Sequence, residues 1–536
     1  MAIGNGVEER ETWSSRRAFV LAAIGSAIGL GNIWRFPFIC YENGGGAFLI
    51  AFVVALMTAG IPLLVLEFGI GHSTRGAAPK AMRSIHPRME WFGWAATGIG
   101  FVICAYYAVI MSYCANYAVH SLTLAWGGDA AGFFYRDVVG LTTVRVDSAT
   151  AAAADSLRSA GAAVPEEMIA RPWSLGRFMP WVAVGLLFSW VCIVLSIWKG
   201  TKTVGKVVYA TVLLPWALLI VFVVRGVTLP GSAEGLRFYL HPEFAGLLQP
   251  SVWLAAYTQV FFSLSVGFAI MIAYSSFLPR RSDIVASAFI IGIADALTAI
   301  LGGFAVFGAL GYKAHLAGVP VASVVQSGPG LTFVAYPDII SNLPVPHLFG
   351  ILFFLMLLTL AIDSAFSLVE AVAAATRDKW GWSHRRANLT VGGIAFLCGL
   401  PLTFGVGLHW LDIVDRFMNQ IGLSLVVLGE CLLIGYYFKS ERMRRHVNEL
   451  SDFGIGRWWN LCIMAITPLV ILWLLAAEVI ARIREPYGDS GLRSQEFVFG
   501  WLVLLLIFAA GLLLARARGA APRGTARPGP APPGGR

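Results

Sequence analysis

Long apolar runs recur along the whole chain and constrain its fold more than any other feature of the sequence. Stretches such as 51–66, 348–360 and 497–514 approach the roughly 20 residues that a helix needs to cross a bilayer. Only 13% of the 536 residues are charged, against roughly 25% in an ordinary soluble domain. The pattern predicts an all-α membrane protein with about twelve transmembrane helices.

Basic residues are concentrated in alternate short loops and at both ends of the chain. By the positive-inside rule, these loops and both termini lie in the cytoplasm of a multi-pass protein of the cell (inner) membrane, surrounded by the lipid bilayer. Because the net charge of +9 is distributed in this way, it does not indicate nucleic-acid binding. Residues 1–18 are predicted to be a cytoplasmic segment, 19–516 a membrane domain, and 517–536 a disordered cytoplasmic tail rich in Pro, Gly and Arg.

Two predicted spans are interrupted by glycine and polar residues at membrane depth. The interruption in the first span consists of Gly25, Gly29, Gly31, Asn32 and Arg35. The interruption in the sixth span consists of Gln259, Ser263, Ser265 and Gly267. Lipid does not tolerate unwound backbone, but a polar cavity does. The alternative is that the glycines serve close packing between helices.

Paired interruptions at matching positions of two halves point to a binding site at the membrane midplane. They predict a 5+5 inverted repeat, over about 19–226 and 248–439, with helices 1 and 6 unwound and helices 11 and 12 following over about 457–516. At such a break, half-helix amides attract a carboxylate and half-helix carbonyls coordinate cations. One site could therefore hold a zwitterion together with a cation.

Three motifs resemble signatures of the neurotransmitter:sodium symporter family, in particular those of its bacterial amino acid transporters. They begin at Gly29 (Gly-Leu-Gly-Asn-Ile-Trp-Arg-Phe-Pro), Glu42 (Glu-Asn-Gly-Gly-Gly-Ala-Phe) and Ile61 (Ile-Pro-Leu-Leu-Val-Leu-Glu). The resemblance implies sodium-coupled symport of a neutral, hydrophobic or aromatic amino acid by alternating access. The oligomeric state is left undetermined.

The resemblance also implies two sodium sites. The second site would use carbonyls and side chains of Gly25, Ile28, Leu360, Asp363 and Ser364, and the first would use Ala27, Asn32, Ser263 and the substrate carboxylate. Where family members usually have a liganding Asn, alignment puts Ala294, followed by Asp295. Either Asp295 substitutes for this ligand or the first site is weakened. Chloride use stays open, because Phe52 occupies a Tyr position and a carboxylate such as Asp295 could supply the negative charge.

For the substrate, the resemblance implies a carboxylate held by the amides of Leu30 and Gly31 and the hydroxyl of Tyr107. The ammonium would meet carbonyls around Ala27 and Ser263, and the side chain would meet an apolar lining. The implied substrate residues are Ala27, Gly29, Leu30, Gly31, Ile103, Tyr107, Phe262, Ser263, Ser265, Phe268, Ser364 and Leu368.

Two charged pairs are implied as gates. Arg35 and Asp415 would close the outer side, and Arg10 and Asp378 the inner side, braced by Trp13. Two rival functions stay open at this point. An amino acid sensor would use the same binding residues without transport, whereas an intramembrane enzyme is disfavoured because no hydrolase motif is present.

Overall fold

The structure is a computed structural model that describes residues 12–143, 156, 157, 159, 173–198, 201–325, 328–488 and 491–519. The predicted contact of Arg10 and nearly all of the predicted C-terminal tail lie outside these residues. Over the described ranges the backbone is helical, and β-structure is limited to two isolated bridges.

The twelve longest helical segments of the described residues, with broken halves joined, are called spans 1 to 12 in chain order, and shorter helices lie between them. Eight are individually long and apolar enough to cross a membrane, and the two bent halves of span 1 together make a ninth. The predicted all-α membrane fold with about twelve helices is therefore confirmed. The bounds are Arg16–Ala27 with Leu30–Glu42, Gly46–Thr74, Pro87–His120, Pro180–Ser196, Thr201–Val227, Pro250–Ser263 with Ile270–Ser276, Ile284–Ala317, Pro346–Trp380, His384–Gly399, Gly407–Asn448, Arg457–Arg484 and Arg493–Arg516.

Local sequence signals explain where several spans begin and end. The Ser15 side chain accepts a hydrogen bond from the Ala18 amide at the start of span 1, and Asp283 caps span 7 in the same way at Ala286. Spans 4, 6 and 8 begin with proline, which needs no amide partner in the first turn. Span 8 ends at Gly381, whose φ of 63° suits a residue without a Cβ.

The spans form an inner group and an outer group. Burial covers 72% of the most apolar stretch of span 3 but only 22% of that of span 12. The first half of span 1 packs against spans 5, 6, 7 and 8, and the second half of span 6 packs against spans 1, 2 and 8. The polar interruptions of spans 1 and 6 therefore face protein rather than lipid.

One face of the helix bundle carries the start of span 1 and the end of span 12, and it is called the terminal face. There the Trp13 amide donates to the Phe277 carbonyl (3.0 Å), and the Arg377 guanidinium lies 5.7 Å from the Phe277 ring. Lys379, two residues further along span 8, donates to the Ala515 carbonyl at the end of span 12 (3.3 Å). The other side of the bundle is called the opposite face.

Candidate functional site

Span 1 is broken where the sequence predicted it. Its first half ends at Ala27, Gly29 is extended (φ −123°, ψ −169°), and the two halves meet at an angle of 59°. The Gly29 amide donates to Asn32 Oδ1 (3.2 Å) and the Leu30 amide donates to the Tyr107 hydroxyl (3.4 Å). Backbone groups that a continuous helix would use internally are thus directed to side chains.

Span 6 is broken between Ser263 and Ile270. Ser265, Gly267 and Ala269 have φ values of 54°, 83° and 63°, a left-handed conformation that ends the first half-helix. The Gly267 amide donates to Glu67 Oε1 at 2.6 Å. Glu67 lies inside span 2 and is fully buried, so its carboxylate provides a partner for a backbone amide that the broken helix leaves free.

The two breaks lie at the bottom of one cavity of about 900 Å³. Every predicted substrate residue except Leu30 lines this cavity. The Leu30 side chain is buried outside this cavity. Only the Leu30 amide is linked to the cavity lining, by the hydrogen bond that it donates to Tyr107. Sequence reasoning missed Ser26 and Ile270, which also line the cavity.

The floor of the cavity is polar and its walls are apolar. Ser265 and Ser364 both donate hydroxyl hydrogen bonds to the Ser26 carbonyl, at 3.1 and 3.3 Å. Around them the walls consist of Ile103, Tyr107, Phe262, Phe268 and Leu368. A small molecule with a polar end and an apolar end matches this division.

A second, enclosed cavity lies beside span 8 and is too narrow for the centre of a water-sized sphere. Gly25, Ile28, Leu360 and Asp363, four of the residues predicted for the second sodium site, line it. The fifth, Ser364, faces the larger cavity instead. Span 5 adds lining residues that sequence reasoning missed, since nothing in that apolar run sets them apart: Thr211, Val212 and Trp216.

The chemistry of this narrow cavity fits a small hard cation. Asp363 is 1% exposed, and its Oδ1 has no hydrogen-bond partner among the described residues. A Cβ added to Gly25 would lie 2.5 Å from Asp363 Oδ2, so the glycine leaves space that any other residue would fill. A buried carboxylate without a protein cation beside it is costly, and a cation with oxygen ligands relieves that cost.

The residues predicted for the first sodium site also come together. Asn32 Nδ2 donates to Asp295 Oδ1 at 2.8 Å, and the Ser263 hydroxyl lies 2.9 and 2.7 Å from the two Asp295 oxygens. Ala27, Asn32 and Ser263 line the larger cavity, and Asp295 lies directly behind them, 1% exposed. Asp295 reaches this position from an unbroken helix, while Ala294 is partly buried and packs against the apolar core.

Towards the opposite face, the larger cavity is open. Its rim includes the exposed residues Glu42 and Asp412. Within the described residues Arg35 and Asp415 form no ion pair: the Arg35 guanidinium lies 4.4 Å from the Phe262 ring centroid, and Asp415 accepts from Tyr106 (2.7 Å).

At the terminal face, the path is closed. Trp13 is 3% exposed, and its indole N–H donates to the Tyr274 carbonyl at 2.9 Å. Arg16 approaches Asp283 at 3.5 Å, and the Ala77 amide donates to Asp378 at 2.7 Å. The described chain therefore has a cavity that opens on one face only.

Comparison with known proteins agrees with this architecture. The family model for the sodium:neurotransmitter symporter family matches residues 10–515. An uncharacterized sodium-dependent transporter of Methanocaldococcus jannaschii is 36% identical over 509 residues, which cover 94% of this chain and 97% of that protein. The chain is therefore a member of the sodium:neurotransmitter symporter family, a sodium-dependent membrane transporter and not an enzyme.

Proposed function

We propose that this transporter imports a neutral amino acid with a hydrophobic or aromatic side chain together with sodium, by alternating access. The observation that supports this most is the larger cavity, where two broken spans turn backbone groups towards one apolar and aromatic pocket. No lysine or arginine of the described residues lies at the floor of that pocket beside Ser26, so a substrate with an acidic side chain has no counter-ion there.

The substrate would lie across the break in span 1. Its carboxylate meets the amides of Leu30 and Gly31 at the start of the second half-helix, where the helix dipole is positive. In this structure the Leu30 amide donates to the Tyr107 hydroxyl at 3.4 Å. With substrate bound, that amide would donate to the carboxylate instead, and the hydroxyl would donate its own hydrogen to the carboxylate. The ammonium group meets the carbonyls that end the first half of span 6, at Phe262 and Ser263.

Sodium would bind at both predicted sites. At the second site the carbonyls of Gly25, Ile28 and Leu360 join Asp363, and Ser364 completes the set. At the first site the ligands are Ala27, Asn32, Ser263 and Asp295. A ligand shifts a conformational equilibrium only by its difference in affinity for the two states, so coupling requires that sodium and substrate together favour one closed form.

Alternating access would exchange the open face for the closed one. With both termini in the cytoplasm of the inner membrane, as the basic loops predict, the cavity opens to the outside. Closing it would bring Arg35 from the Phe262 ring to Asp415. Opening the terminal face would release Trp13, and with it the predicted contact of Arg10 with Asp378.

Uptake into proteoliposomes tests the proposal. The purified protein should accumulate radiolabelled leucine, phenylalanine or another neutral amino acid under an inward sodium gradient, and the Asp363→Asn variant should not. Asp137→Asn is the matched control, because this exposed carboxylate pairs with Arg136 and lines neither cavity. Absence of uptake for all neutral amino acids would contradict the proposal, and sodium-dependent binding without uptake or counterflow would indicate a sensor.

A further inference from the structure

A cluster of charged side chains from spans 10 and 11 lies at the outer part of the larger cavity. Arg416 of span 10 and Glu478 of span 11 form a two-point ion pair that lines the cavity, with Arg416 Nε 2.9 Å from Glu478 Oε1 and Arg416 Nη2 2.6 Å from Glu478 Oε2. Arg482, one turn further along span 11, lies 3.3 Å from Glu478 Oε1. The Tyr487 ring packs against both guanidinium groups, at 5.2 and 5.1 Å. The cluster therefore fixes the direction in which Arg416 points.

This direction matters because Arg416 directly follows Asp415, one of the two predicted outer gate residues. The Asp415 carboxylate accepts hydrogen bonds from Tyr106 (2.7 Å) and Asn419 (2.8 Å), while the Arg416 guanidinium is bound to span 11. Arg35 and Arg416 both lie close enough to Asp415 to act on it electrostatically. Two guanidinium groups can therefore compete for the carboxylate with which the gate would close.

The charge of Glu478 determines how strongly Arg416 interferes. Two arginines and one glutamate leave one positive charge in excess in the cluster, and without the Glu478 charge there would be two. The uncompensated Arg416 would repel Arg35 as it approaches, and would itself be drawn to Asp415. Charges a few ångströms apart interact more strongly in a protein cavity than in bulk water, so both effects oppose closure.

We propose that Glu478 is a positioning residue for the outer gate and that it acts by holding Arg416 against span 11. Asp415 then stays available to Arg35 when the substrate-bound form closes. This inference rests on the proposed function, because it takes Arg35 and Asp415 as the gate. It gives span 11, which lies outside both predicted repeats, a part in transport.

Labelling of a reporter cysteine tests the inference. Span 10 runs inward from Asp412 at the rim, so Gln420 lies roughly two turns inside the cavity, where it is half-buried. Spheroplasts that express the full-length Gln420→Cys protein are treated with a membrane-impermeant thiol reagent, with and without sodium and saturating leucine, or the neutral amino acid that the uptake assay identifies. The protein without the reporter gives the background from native cysteines such as the exposed Cys398.

The two members of the ion pair should behave differently. With sodium and amino acid, Glu478→Gln should raise the labelling rate by roughly tenfold, the effect of a change of one charge near the gate. Arg416→Gln breaks the same pair but removes the interfering charge, so it should not raise the rate. The double variant has the wild-type excess of one positive charge and should regain protection. A merely structural link between spans 10 and 11 would instead make both single variants alike.

Two controls accompany these variants. Glu478→Asp keeps the charge and should keep most of the protection. Glu485→Gln makes the same chemical change at an exposed residue at the end of span 11 that lines neither cavity, and should label as the wild type does. Without sodium and amino acid all variants should label equally fast, because the cavity is then open, and this equality shows that each variant is folded.

The inference is overturned if Glu478→Gln stays as protected as the wild type, if Arg416→Gln exposes the reporter equally, or if the double variant is not protected. It is also overturned if the amino acid gives no protection in a protein that transports it. Any of these results with intact sodium-driven uptake in the wild type refutes this inference alone. A wild-type protein that performs no sodium-driven uptake refutes the proposed function.

Discussion

Adding one methyl group at Gly25 should lower the sodium affinity of the transporter while leaving the fold intact. A Cβ there would lie 2.5 Å from Asp363 Oδ2 and 2.9 Å from Val212 Cγ2. Ordinary contacts are about 3.4–4 Å, so the carboxylate would have to retreat by about 1 Å. Overpacking of this kind destabilises a structure by about 1–3 kcal/mol. Where that free energy is lost from the sodium-bound state, the sodium affinity falls by roughly 5- to 150-fold.

The fold itself should tolerate the change. The new Cβ also crowds Asp363 and Val212 when no sodium is bound. Gly25 lies within the first half of span 1, and alanine is favoured over glycine in a helix by about 1 kcal/mol, which offsets part of that overpacking. Unfolding temperature in the absence of sodium should therefore change little. The sodium concentration that gives half-maximal uptake in proteoliposomes should rise by roughly tenfold or more.

Gly205→Ala is the matched control. It makes the same substitution in the neighbouring span 5, where the nearest heavy atom to the new Cβ would be that of Ala18 at 3.5 Å, an ordinary contact. We expect its sodium dependence to match that of the wild type. The reasoning is refuted if the Gly25→Ala protein is folded and active with an unchanged half-saturating sodium concentration.

Substitutions at three other residues test the remaining parts of the site. Trp13→Ala removes a buried ring and its hydrogen bond to Tyr274, which should destabilise the closed terminal face by about 3 kcal/mol or more. Labelling of a reporter cysteine on the inner path should then increase. Unchanged labelling would count against that closure. Tyr107→Phe should weaken amino acid binding by roughly 5-fold, the value of one hydrogen bond, without altering sodium binding. Glu67→Gln keeps an acceptor for the Gly267 amide and should unfold at a temperature close to that of the wild type. Glu67→Ala removes the acceptor and leaves a buried amide unpaired, so it should unfold at a lower temperature; an unchanged temperature for Glu67→Ala would refute the role of Glu67.

Much of the architecture was predictable because it depends on short stretches of sequence. The lengths of the apolar runs predicted the spans, and the glycine and polar residues around Gly29 and Gly267 predicted the breaks, since helix formation depends on hydrogen bonds between residues four apart. Glu67 was likewise predictable, because a carboxylate inside a long apolar run needs a partner and the nearest exposed backbone is at a break. The three sequence motifs predicted the family, and the comparison with known proteins confirmed that prediction.

The partners of the key side chains were not predictable in the same way. Asn32 and Asp295 are 263 residues apart, and Ala294 or Asp295 could each have faced the site until the rotation of span 7 was known. Thr211 and Trp216 line the narrow cavity because span 5 packs against span 1 there. Such contacts depend on how whole helices rotate and approach, and no local property of the sequence encodes that.

The sequence by itself determined that this chain crosses a membrane, that two of its helices break at matching places, and which residues lie at the breaks. Only the tertiary structure decided that Asp295 lies behind Asn32 and Ser263, that Arg35 lies against Phe262, and that the cavity opens on the face opposite the terminal face. The physical reason is that hydropathy and helix breaking act within one span. Side-chain partners and the choice between open faces, in contrast, depend on packing differences of a few kcal/mol between spans.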